Sequence, residues 1–411
     1  MAPEPRAAGA RVVLGVGGGI AAYKTCEVLR GLTESGHDVR VVPTDAALRF
    51  VGAATFEALS GNPVRTGVFS NVPEVEHVRI GKEADLVLVA PATADLLAKA
   101  ATGIADDLLS NTLLTARCPV AFFPAMHTEM WEHPATQANV ATLRERGAIV
   151  TEPDSGRLTG VDTGKGRLAD PVEITDLAQL LIANPGALPR DLTGMHVVVS
   201  AGGTREPLDP VRYLGNRSSG KQGYALARVA AARGARVSLV AAHTDMLPVP
   251  AGVELVSVST AEQLGVAVLD VAEQADVVVM AAAVADFRPS ELAQYKIKKT
   301  DGEPAPVALE RNKDVLAELV AKRSAEQIIV GFAAETGDVT GDVLHHARAK
   351  LRRKGSDLLV VNAVGEGRAF EVEDNAGWLL AANGDETQIP FGSKSQLAAA
   401  VWDAVASLRR P

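Results

Sequence analysis

Short runs of β-branched residues alternate with longer, alanine-rich segments of helical periodicity along most of the chain. Strands covered by helices on both faces form continuous apolar runs, and alternation of strand and helix is typical of a parallel sheet. The pattern therefore predicts an α/β fold with mainly parallel sheets flanked by helices. In the first half it predicts strands at Arg11–Val16, Asp38–Val42, Leu86–Ala90 and Val120–Phe123, and helices at Ala21–Ser35, Ala92–Ala100 and Gln137–Arg146.

A break rich in proline and glycine, Asn184–Pro189, interrupts this pattern, which then restarts. The restarted pattern predicts strands at Val197–Ser200 and Arg236–Ala241 and a helix at Gly223–Arg233. The two halves also echo each other, because Glu83–Ala90 resembles Gln274–Ala281 at a similar distance from the first strand of its half. We predict two Rossmann-like or flavodoxin-like domains, residues 1–185 and 186–411.

Composition excludes several classes of protein. Hydrophobic residues make up 47% and charged residues 22% of the 411 residues, which excludes a disordered chain. The net charge of −9 argues against a general nucleic-acid or anionic-membrane surface. No apolar run approaches the roughly 18 residues of a membrane span, and glycines interrupt the N-terminal stretch that faintly resembles a signal peptide. The two cysteines, Cys26 and Cys118, favour a reducing compartment, and we predict a cytoplasmic protein.

A glycine-rich turn, Val16–Ala22, follows the first predicted strand and opens a helix. Such a turn lets the backbone approach a phosphate, although it also serves as a purely structural turn. A dinucleotide site further requires an acidic residue at the end of the second strand, where this chain has Thr44. Because Thr44 can donate to a phosphate, the pattern favours a mononucleotide such as FMN over NAD.

Three further features of the first half carry candidate chemistry. Pro91–Ala94 follows a strand, at the end where ligands bind in open α/β sheets. Asp106 and Asp107 follow a glycine turn and either cap a helix or hold a neighbouring loop. His77 stands alone, and a lone histidine is more often structural or solvent-exposed than catalytic.

The first half resembles the flavin-dependent cysteine decarboxylases, colinearly over residues 11–180. The decarboxylase half of the bifunctional phosphopantothenoylcysteine decarboxylase/phosphopantothenate–cysteine ligases of coenzyme A biosynthesis shares the same motifs. The matching segments are Gly18–Lys24, His77, Pro91–Ala94, Ala105–Leu109 and Pro124–Trp131.

This resemblance implies an FMN-dependent decarboxylation. Oxidation of the substrate thiol to a thioaldehyde creates an electron sink, carbon dioxide leaves, and the resulting enethiol is reduced again by the same flavin. His77 matches the catalytic histidine that transfers a proton, and Met126 and His127 match substrate-binding positions. The implied FMN-binding residues are Gly18, Gly19, Ile20, Thr44, Pro91, Ala92 and Thr93.

Two positions depart from the family pattern. His127 stands where the family usually has Asn, and a protonated histidine can donate in its place. Gly160 stands where the family usually has the cysteine that returns a proton to the enethiol, and neither Cys26 nor Cys118 obviously substitutes. We hypothesise that another flap group, such as Asp162, or a bound water donates this proton. A decarboxylase half that has decayed into a scaffold is the alternative.

In the second half, the insertion Arg205–Lys221 holds four cations and a Ser-Ser-Gly tip before a helix. It is either a solvated loop or an anion clamp that closes on a phosphorylated substrate. Lys296–Lys299 is either surface charge or a triphosphate contact, and Phe332 either stacks on a base or lies in the core. Lys350 and Lys354 lie four residues apart and share a helical face, which is either solvated or phosphate-binding.

Residues 194–402 resemble the ligase half of the same bifunctional family. The resemblance implies that the carboxylate of 4′-phosphopantothenate attacks the α-phosphorus of CTP, which gives an acyl-cytidylate and pyrophosphate. The amine of cysteine then displaces CMP, and Mg²⁺ neutralises triphosphate oxygens. The matching segments are Asp209–Tyr213, Asn216, Ser218–Lys221, Lys296–Lys299 and Gly331–Thr336.

The resemblance also implies roles for single residues of the second half. Arg212 and Asn216 match residues that handle the acyl-cytidylate, and Lys296 would stabilise charge that develops at the reacting centre. Lys313 stands where proline is more usual. The implied nucleotide-binding residues are Ala281, Asp286, Asn312, Lys313, Asp314, Val315, Phe332, Lys350 and Lys354.

The sequence thus predicts a bifunctional enzyme that performs ligation and then decarboxylation to 4′-phosphopantetheine. The resemblance implies a homo-oligomer with trimeric decarboxylase contacts and dimeric ligase contacts, up to a dodecamer. We expect small-molecule partners, with no nucleic acid and no membrane. A nicotinamide-dependent reductase with two Rossmann domains is the alternative, weakened by the missing strand-end carboxylates. A third interpretation, a non-catalytic flavin-binding scaffold, does not explain the clamp Arg205–Lys221 or the lysines of Lys296–Lys299.

Overall fold

The chain forms two compact units, each with its own sheet. Unit 1 comprises residues 1–189 and 250–252, and unit 2 comprises residues 190–249 and 253–411. In the described part of the chain, no helix combines the length and the apolar character that a bilayer span requires. This computed structural model describes residues 9–67, 76–158, 162–298, 306–335, 342–363 and 374–409.

Unit 1 is built on a parallel five-stranded sheet. Its strands are β1 (Arg11–Val16), β2 (Asp38–Pro43), β3 (Leu86–Ala92), β4 (Val120–Pro124) and β5 (Ile149–Val150), in the order β2-β1-β3-β4-β5. Two further strands, β6 (Asp154–Arg157) and β7 (Thr163–Arg167), form a separate antiparallel hairpin. The helices are α1 (Thr25–Glu34), α2 (Ala53–Ser60), α3 (Glu76–Glu83), α4 (Ala94–Thr102), α5 (Leu108–Thr115), α6 (Thr128–Glu132), α7 (Pro134–Glu145) and α8 (Pro171–Ala183), with short 3₁₀ helices at Ile20–Lys24 and Ala47–Arg49.

The central strand β3 explains the position of the ligand crevice in unit 1. All seven of its residues are buried, as its continuous apolar run predicts. It pairs with β1, and the strand order reverses between these two strands. In open α/β sheets, such a switch point opens a crevice at the carboxyl ends of the strands.

Unit 2 is built on an eight-stranded sheet in the order β12-β11-β8-β13-β16-β17-β18-β19, of which the last two strands are antiparallel. Its sheet strands are β8 (His196–Ala201), β11 (Arg236–Ala241), β12 (Val253–Ser257), β13 (Val277–Met280), β16 (Ile328–Glu335), β17 (Leu358–Ala363), β18 (Asp374–Ala381) and β19 (Glu386–Ser393). Two small ribbons pair β9 (Arg205–Pro207) with β10 (Tyr213–Gly215), and β14 (Phe287–Pro289) with β15 (Leu309–Arg311). The helices are α9 (Lys221–Ala232), α10 (Ala261–Ala272), α11 (Val315–Lys322), α12 (Val343–Lys354) and α13 (Lys394–Leu408).

The predicted fold class, α/β with mainly parallel sheets flanked by helices, is confirmed. The order of unit 1 is that of flavodoxin-like folds, and the parallel part of unit 2 follows the Rossmann order with its switch point between β8 and β13. One local prediction was wrong: the helix expected over Ala21–Ser35 begins as the 3₁₀ turn Ile20–Lys24, and α1 follows it. Gly19 provides no side-chain cap there, so the first N–H groups of this turn lack a side-chain acceptor.

A buried arginine ties together the start and the end of unit 2. The Arg233 side chain is 1% exposed and donates to Asp191 at 2.9 and 2.5 Å and to Asp403 at 2.7 Å. Because a buried charge that loses a partner is costly, Asp191→Ala should destabilise unit 2 by about 3 kcal/mol. Arg233→Met removes the buried charge itself and should cost less. Calorimetric unfolding of both variants checks this order, and an equal or larger loss in Arg233→Met would contradict it.

Candidate functional site

A cleft of about 940 Å³ lies in unit 1 at the carboxyl ends of β1, β2, β3 and β4. Its volume lies within the usual range for small-molecule sites, at the edge of the sheet where such folds bind ligands. The β6–β7 hairpin contributes a further wall. The lining residues that the sequence had singled out are Gly18, Gly19, Ile20, Thr44, Thr93, Asp106, Asp107, Met126 and His127.

The glycine turn after β1 is packed too closely for side chains. The Gly17 amide donates to the carbonyl oxygen of Pro91 at 3.0 Å, and a Cβ at Gly17 would lie 2.4 Å from that oxygen. A Cβ at Gly18 would lie 2.4 Å from the Cβ of Ala46. The turn is therefore held between the loops that follow β2 and β3, with bare backbone facing the cleft. This cradle fits a phosphate or a flat ring that must approach the main chain.

Two threonines line the cleft and also hold their own loops. Thr44 Oγ1 lies 3.3 Å from the carbonyl oxygen of Val16 and accepts from the Ala47 amide at 3.1 Å. Thr93 Oγ1 caps α4 by accepting from the Leu96 amide at 3.3 Å. For Thr44 to donate to a phosphate, its hydroxyl proton must turn away from Val16, so the predicted contact stays a prediction.

Pro91 and Ala92 do not line the cleft but lie in the strand next to it. Both are buried residues of β3. The carbonyl oxygen of Pro91 accepts from Gly17, and that of Ala92 accepts from the Ala125 amide at 3.1 Å. These two bonds hold the neighbouring loops in place, and the predicted contact of Pro91 and Ala92 with the cofactor stays a prediction.

Asp107 takes the capping role that the sequence left open, whereas Asp106 pairs with a lysine of helix α4. Asp107 is the N-cap of α5, with its carboxylate 2.7 Å from the Ser110 amide. Asp106 forms an ion pair with Lys99 at 3.1 Å, and this hydrogen bond raises the pKa of Lys99. Both aspartates line the cleft, so the capped helix and the ion pair together fix this rim.

The opposite wall carries Met126 and His127, held against the β6–β7 hairpin. The Met126 amide donates to the carbonyl oxygen of Gly166 at 2.9 Å. Gly166 has a φ of +154°, and a Cβ there would lie 2.1 Å from the Met126 carbonyl oxygen. Only glycine permits this contact, which places the two predicted substrate-binding residues in the cleft.

Three cations on this side of the cleft, Lys24, Arg157 and Arg167, had no role predicted from the sequence. Burial lowers the pKa of Lys24, and the nearby Arg167 lowers it further. Lys24 ends the first 3₁₀ turn, whereas Arg157 and Arg167 lie on the two strands of the β6–β7 hairpin, and no motif spacing links the turn to the hairpin. Only the fold brings them to one wall, which gives that wall a positive charge.

A half-buried carboxylate, Glu152, fastens β7 to the segment that precedes the hairpin. Glu152 lies 2.6 Å from Lys165 and 2.9 Å from Arg144. Burial by itself would raise the pKa of Glu152, but Lys165 and Arg144 hold it below its usual value. A depressed carboxyl pKa stabilises the fold above the unfolded value, and the contribution is lost as the pH falls through the folded value.

We expect the melting temperature of unit 1 to fall in acid more steeply in the unmodified chain than in Glu152→Gln. The variant should melt lower near neutral pH, and the two should converge as the pH drops below about 4. Melting curves over this range test the expectation. Parallel curves for the two proteins would show that the ion pairs do not act on stability.

His77 lies at the start of α3 and is not among the residues that line the cleft. Its carbonyl oxygen accepts from Thr115 Oγ1 at 2.8 Å. Its ring Nδ1 is buried and has no hydrogen-bond partner among the described residues. The described residues of one chain therefore do not bring the predicted catalytic histidine into the cleft.

The position of the missing family cysteine, Gly160, lies outside the described residues. Asp162 is exposed and does not line the cleft, and its carbonyl oxygen accepts from the Leu158 amide at 2.8 Å. Cys26 and Cys118 are free thiols that do not line the cleft, and burial raises the pKa of both. Neither thiol is thus placed or activated to replace the missing one.

In unit 2, the loops after β8 and β13 are joined at the switch point of the sheet. The Ala283 amide donates to Gly202 at 2.8 Å, and the Ala285 amide donates to Thr204 Oγ1 at 2.9 Å. Ala281 and Asp286 belong to the second of these loops. Asn216, from the predicted clamp, donates its side-chain amide to the carbonyl oxygen of Val284 at 3.0 Å.

The loop after β15 is fastened to the same place. The Asn312 amide donates to the carbonyl oxygen of Asp286 at 2.9 Å, and its side chain donates to Ala285 at 2.8 Å. Asp314 caps α11 and forms an ion pair with Lys354, which holds the pKa of Asp314 below its usual value against the effect of burial. The structure thus joins four predicted nucleotide-binding positions: Asp286, Asn312, Asp314 and Lys354.

The remaining predicted residues of unit 2 have different surroundings. Val315 is 5% exposed and belongs to the hydrophobic core, whereas Lys313 is exposed. Phe332 is half-buried in β16, and Lys350 is half-buried on α12. The predicted nucleotide contacts of these four residues stay predictions.

The predicted clamp is also hydrogen-bonded to the segment that follows Lys296. Arg212 Nη2 donates to the carbonyl oxygen of Ile297 at 2.9 Å, next to the exposed Lys296. Lys299 lies outside the described residues. The guanidinium of Arg205, one of the four cations of the predicted clamp, stacks over Tyr213 at 4.4 Å. In the described part of the chain no three metal-ligating side chains come together.

Comparison with known proteins identifies both units. The flavoprotein family model matches residues 2–182, and the model of the DNA/pantothenate metabolism flavoprotein C-terminal domain matches residues 192–408. The coenzyme A biosynthesis bifunctional protein CoaBC of Mycolicibacterium smegmatis is 65% identical over 402 residues, which cover 97% of each chain. Its counterpart in Bacillus subtilis is 42% identical over 403 residues, again 97% of each chain.

Among solved structures, the C-terminal domain of a coenzyme A biosynthesis bifunctional protein CoaBC is similar to this chain. It is 33% identical, and the match covers 53% of this chain and 97% of that chain with a TM-score of 0.45. The full-length relatives and the two family models together show that this chain belongs to the family of bifunctional coenzyme A biosynthesis proteins, with a flavoprotein decarboxylase domain followed by a ligase domain.

Proposed function

We propose that the chain catalyses two consecutive reactions. Residues 186–411 ligate 4′-phosphopantothenate with cysteine at the expense of CTP, through an acyl-cytidylate. Residues 1–185 then decarboxylate the product, with FMN as cofactor, to 4′-phosphopantetheine. The observation that carries the proposal is that both units gather predicted site residues at the switch point of their own sheet.

The cleft of unit 1 fits FMN because bare glycine backbone and two hydroxyl side chains face it. When bound, FMN supplies the two-electron oxidation of the substrate thiol and returns the electrons after carbon dioxide has left. Gly18, Gly19 and Ile20 would hold the cofactor next to Thr44 and Thr93. His127 would donate to the substrate carboxylate, and Met126 would pack against the substrate.

His77 would take up the proton that the thiol loses during oxidation. Since His77 does not line the cleft of its own chain, we propose that a second copy brings it there, within a homo-oligomer built on trimeric decarboxylase contacts. Three apolar side chains that line the cleft support a covering partner. Ile20 is 64% exposed, Tyr23 57% and Met130 48%. The resemblance adds dimeric ligase contacts and hence a dodecamer.

In unit 2, the nucleotide would lie against the joined loops at Ala281–Asp286 and Asn312–Val315. Phe332 would stack on the base, and Lys350 and Lys354 would reach the phosphates. Asn216 and Arg212 would hold the acyl-cytidylate, and Lys296 would stabilise the negative charge that develops at the reacting carbon and phosphorus. Mg²⁺ would bind together with CTP. A location in the cytoplasm is consistent with the two free cysteines.

Two observations on the purified chain test the proposal together. The protein should be yellow, with flavin absorbance in the visible range. It should release pyrophosphate from CTP only when 4′-phosphopantothenate is present. A colourless protein that oxidises NADPH would instead support a nicotinamide-dependent reductase.

A further inference from the structure

Asp209 follows β9 and is the most densely bonded carboxylate of the clamp. Its side chain is fully buried, although the Arg212 side chain that it binds is 48% exposed. Oδ1 accepts from the amides of Val211 and Arg212, each at 2.8 Å. Oδ2 accepts from Arg212 Nε at 3.0 Å, from Arg212 Nη2 at 2.5 Å and from the Ile297 amide at 3.1 Å.

The two oxygens of Asp209 do different things. The Oδ1 bonds are local and form the side-chain turn that aspartate commonly makes with the two or three residues after it. The Oδ2 bonds reach the Arg212 side chain and the backbone of Ile297, which lies 88 residues further along the chain. A residue that only forms a turn needs the Oδ1 bonds alone, so the Oδ2 bonds require another explanation.

The Oδ2 bonds of Asp209 join the clamp to the segment that carries Lys296. Arg212 also donates to the carbonyl oxygen of Ile297 at 2.9 Å, and the Ala293 amide donates to Leu208 at 3.1 Å. Ile297, to whose backbone both Asp209 and Arg212 bind, directly follows Lys296 in the chain. The buried carboxylate of Asp209 neutralises the guanidinium of Arg212 and fixes its direction.

The charge of Asp209 persists over the working pH range. Its hydrogen bonds with Arg212 and with the amides of Val211, Ile297 and Arg212 hold the pKa of Asp209 well below its usual range, although burial acts in the opposite direction. The stability that this carboxylate contributes is therefore present above pH 4 or so and is lost only in stronger acid.

We infer that Asp209 is a positioning residue for ligation, which aligns Arg212 and the Lys296 segment on the reacting acyl-cytidylate. The inference rests on the proposed function of unit 2. Asp209 itself is buried behind Arg212, so it acts through these two cations and does not touch the substrate.

The Asp209→Asn variant separates alignment from the local turn. Its amide oxygen can still accept from Val211 and Arg212, but its NH₂ group cannot accept from the Arg212 side chain or from Ile297. Because a small misplacement of catalytic groups is costly, we expect the ligation kcat to fall by about 30-fold or more. The KM for CTP should change by less than about threefold, since the nucleotide loops are fastened elsewhere.

Two controls accompany the variant. Glu386→Gln breaks another two-pronged arginine–carboxylate pair of unit 2, with Arg348 at 2.6 and 2.8 Å, and should leave ligation unchanged. The Asp209→Asn preparation should also decarboxylate supplied 4′-phosphopantothenoylcysteine at the normal rate, which reports on unit 1 of the same molecules.

Two results would overturn the inference. One is an Asp209→Asn variant that ligates within about threefold of the unmodified rate. The other is a variant that loses CTP binding and ligation together, because Asp209 would then hold unit 2 together rather than align two cations. An unmodified chain that fails to ligate at all would overturn the proposed function instead, so the two failures are distinguishable.

Discussion

The His77→Asn variant should decarboxylate 4′-phosphopantothenoylcysteine about 10²- to 10⁴-fold more slowly than the unmodified chain, because a general acid–base group contributes on that scale. Asparagine retains a hydrogen-bond donor and acceptor of similar size, but it cannot take up a proton near neutral pH. Ligation of 4′-phosphopantothenate with cysteine should proceed at the normal rate, since His77 lies in unit 1.

The structure indicates that this substitution changes chemistry rather than folding. His77 is anchored by its carbonyl oxygen, which Thr115 binds, and this bond does not depend on the side chain. The ring Nδ1 is buried, and the described residues form no hydrogen bond with it that the substitution would remove. The variant should therefore keep its flavin absorbance and its melting temperature.

The matched control is another histidine of unit 1, His133. Its ring Nδ1 caps α7 by accepting from the Ala135 amide at 3.1 Å, and asparagine is also a good cap. His133→Asn should decarboxylate normally. If His77→Asn also retained a rate within about threefold of normal, His77 would not be the proton-transfer residue.

The Lys296→Gln variant should lose ligation activity and keep decarboxylation activity. Removal of one preorganised charge at a reacting centre costs about 10²- to 10³-fold in kcat, and we expect a loss of this size in ligation. Decarboxylation of supplied 4′-phosphopantothenoylcysteine should be normal. Lys296 is exposed, so the substitution should not disturb the packing of unit 2.

Quenched assays that measure pyrophosphate and the ligated product separately give the most information about Lys296. Lys322→Gln is a suitable control, because Lys322 is an exposed lysine of unit 2 that pairs with Glu318 at 2.7 Å on α11. Equal ligation rates in the two variants would mean that the charge of Lys296 has no special position.

Much of the fold could be predicted because it depends on local patterns. The strands Arg11–Val16 and Arg236–Ala241 have the predicted bounds. The echoed segments contain most of β3 and all of β13, and each of these strands pairs with the first strand of its unit. The initial 3₁₀ turn of the first helix could not be predicted, since apolar periodicity does not distinguish it from an α-helix over so few residues.

The candidate site residues also differ in how far local sequence patterns predict them. Gly18, Thr93 and Met126 lie one or two residues beyond the ends of β1, β3 and β4, and parallel strands bring their carboxyl ends to one edge. The cations Arg157 and Arg167 come from a hairpin that the apolar pattern did not predict. The pairing of Asp209 with Ile297 joins residues 88 positions apart, and no spacing rule reaches so far.

The most direct test of the two-reaction assignment is a single incubation of the unmodified chain with 4′-phosphopantothenate, cysteine, CTP and Mg²⁺. Quantitative mass spectrometry should find 4′-phosphopantetheine, with carbon dioxide, CMP and pyrophosphate formed in equal amounts. If CTP were consumed while the carboxylate of the incorporated cysteine stayed in place, or if no CTP were consumed, the assignment of two catalytic units to this chain would be wrong.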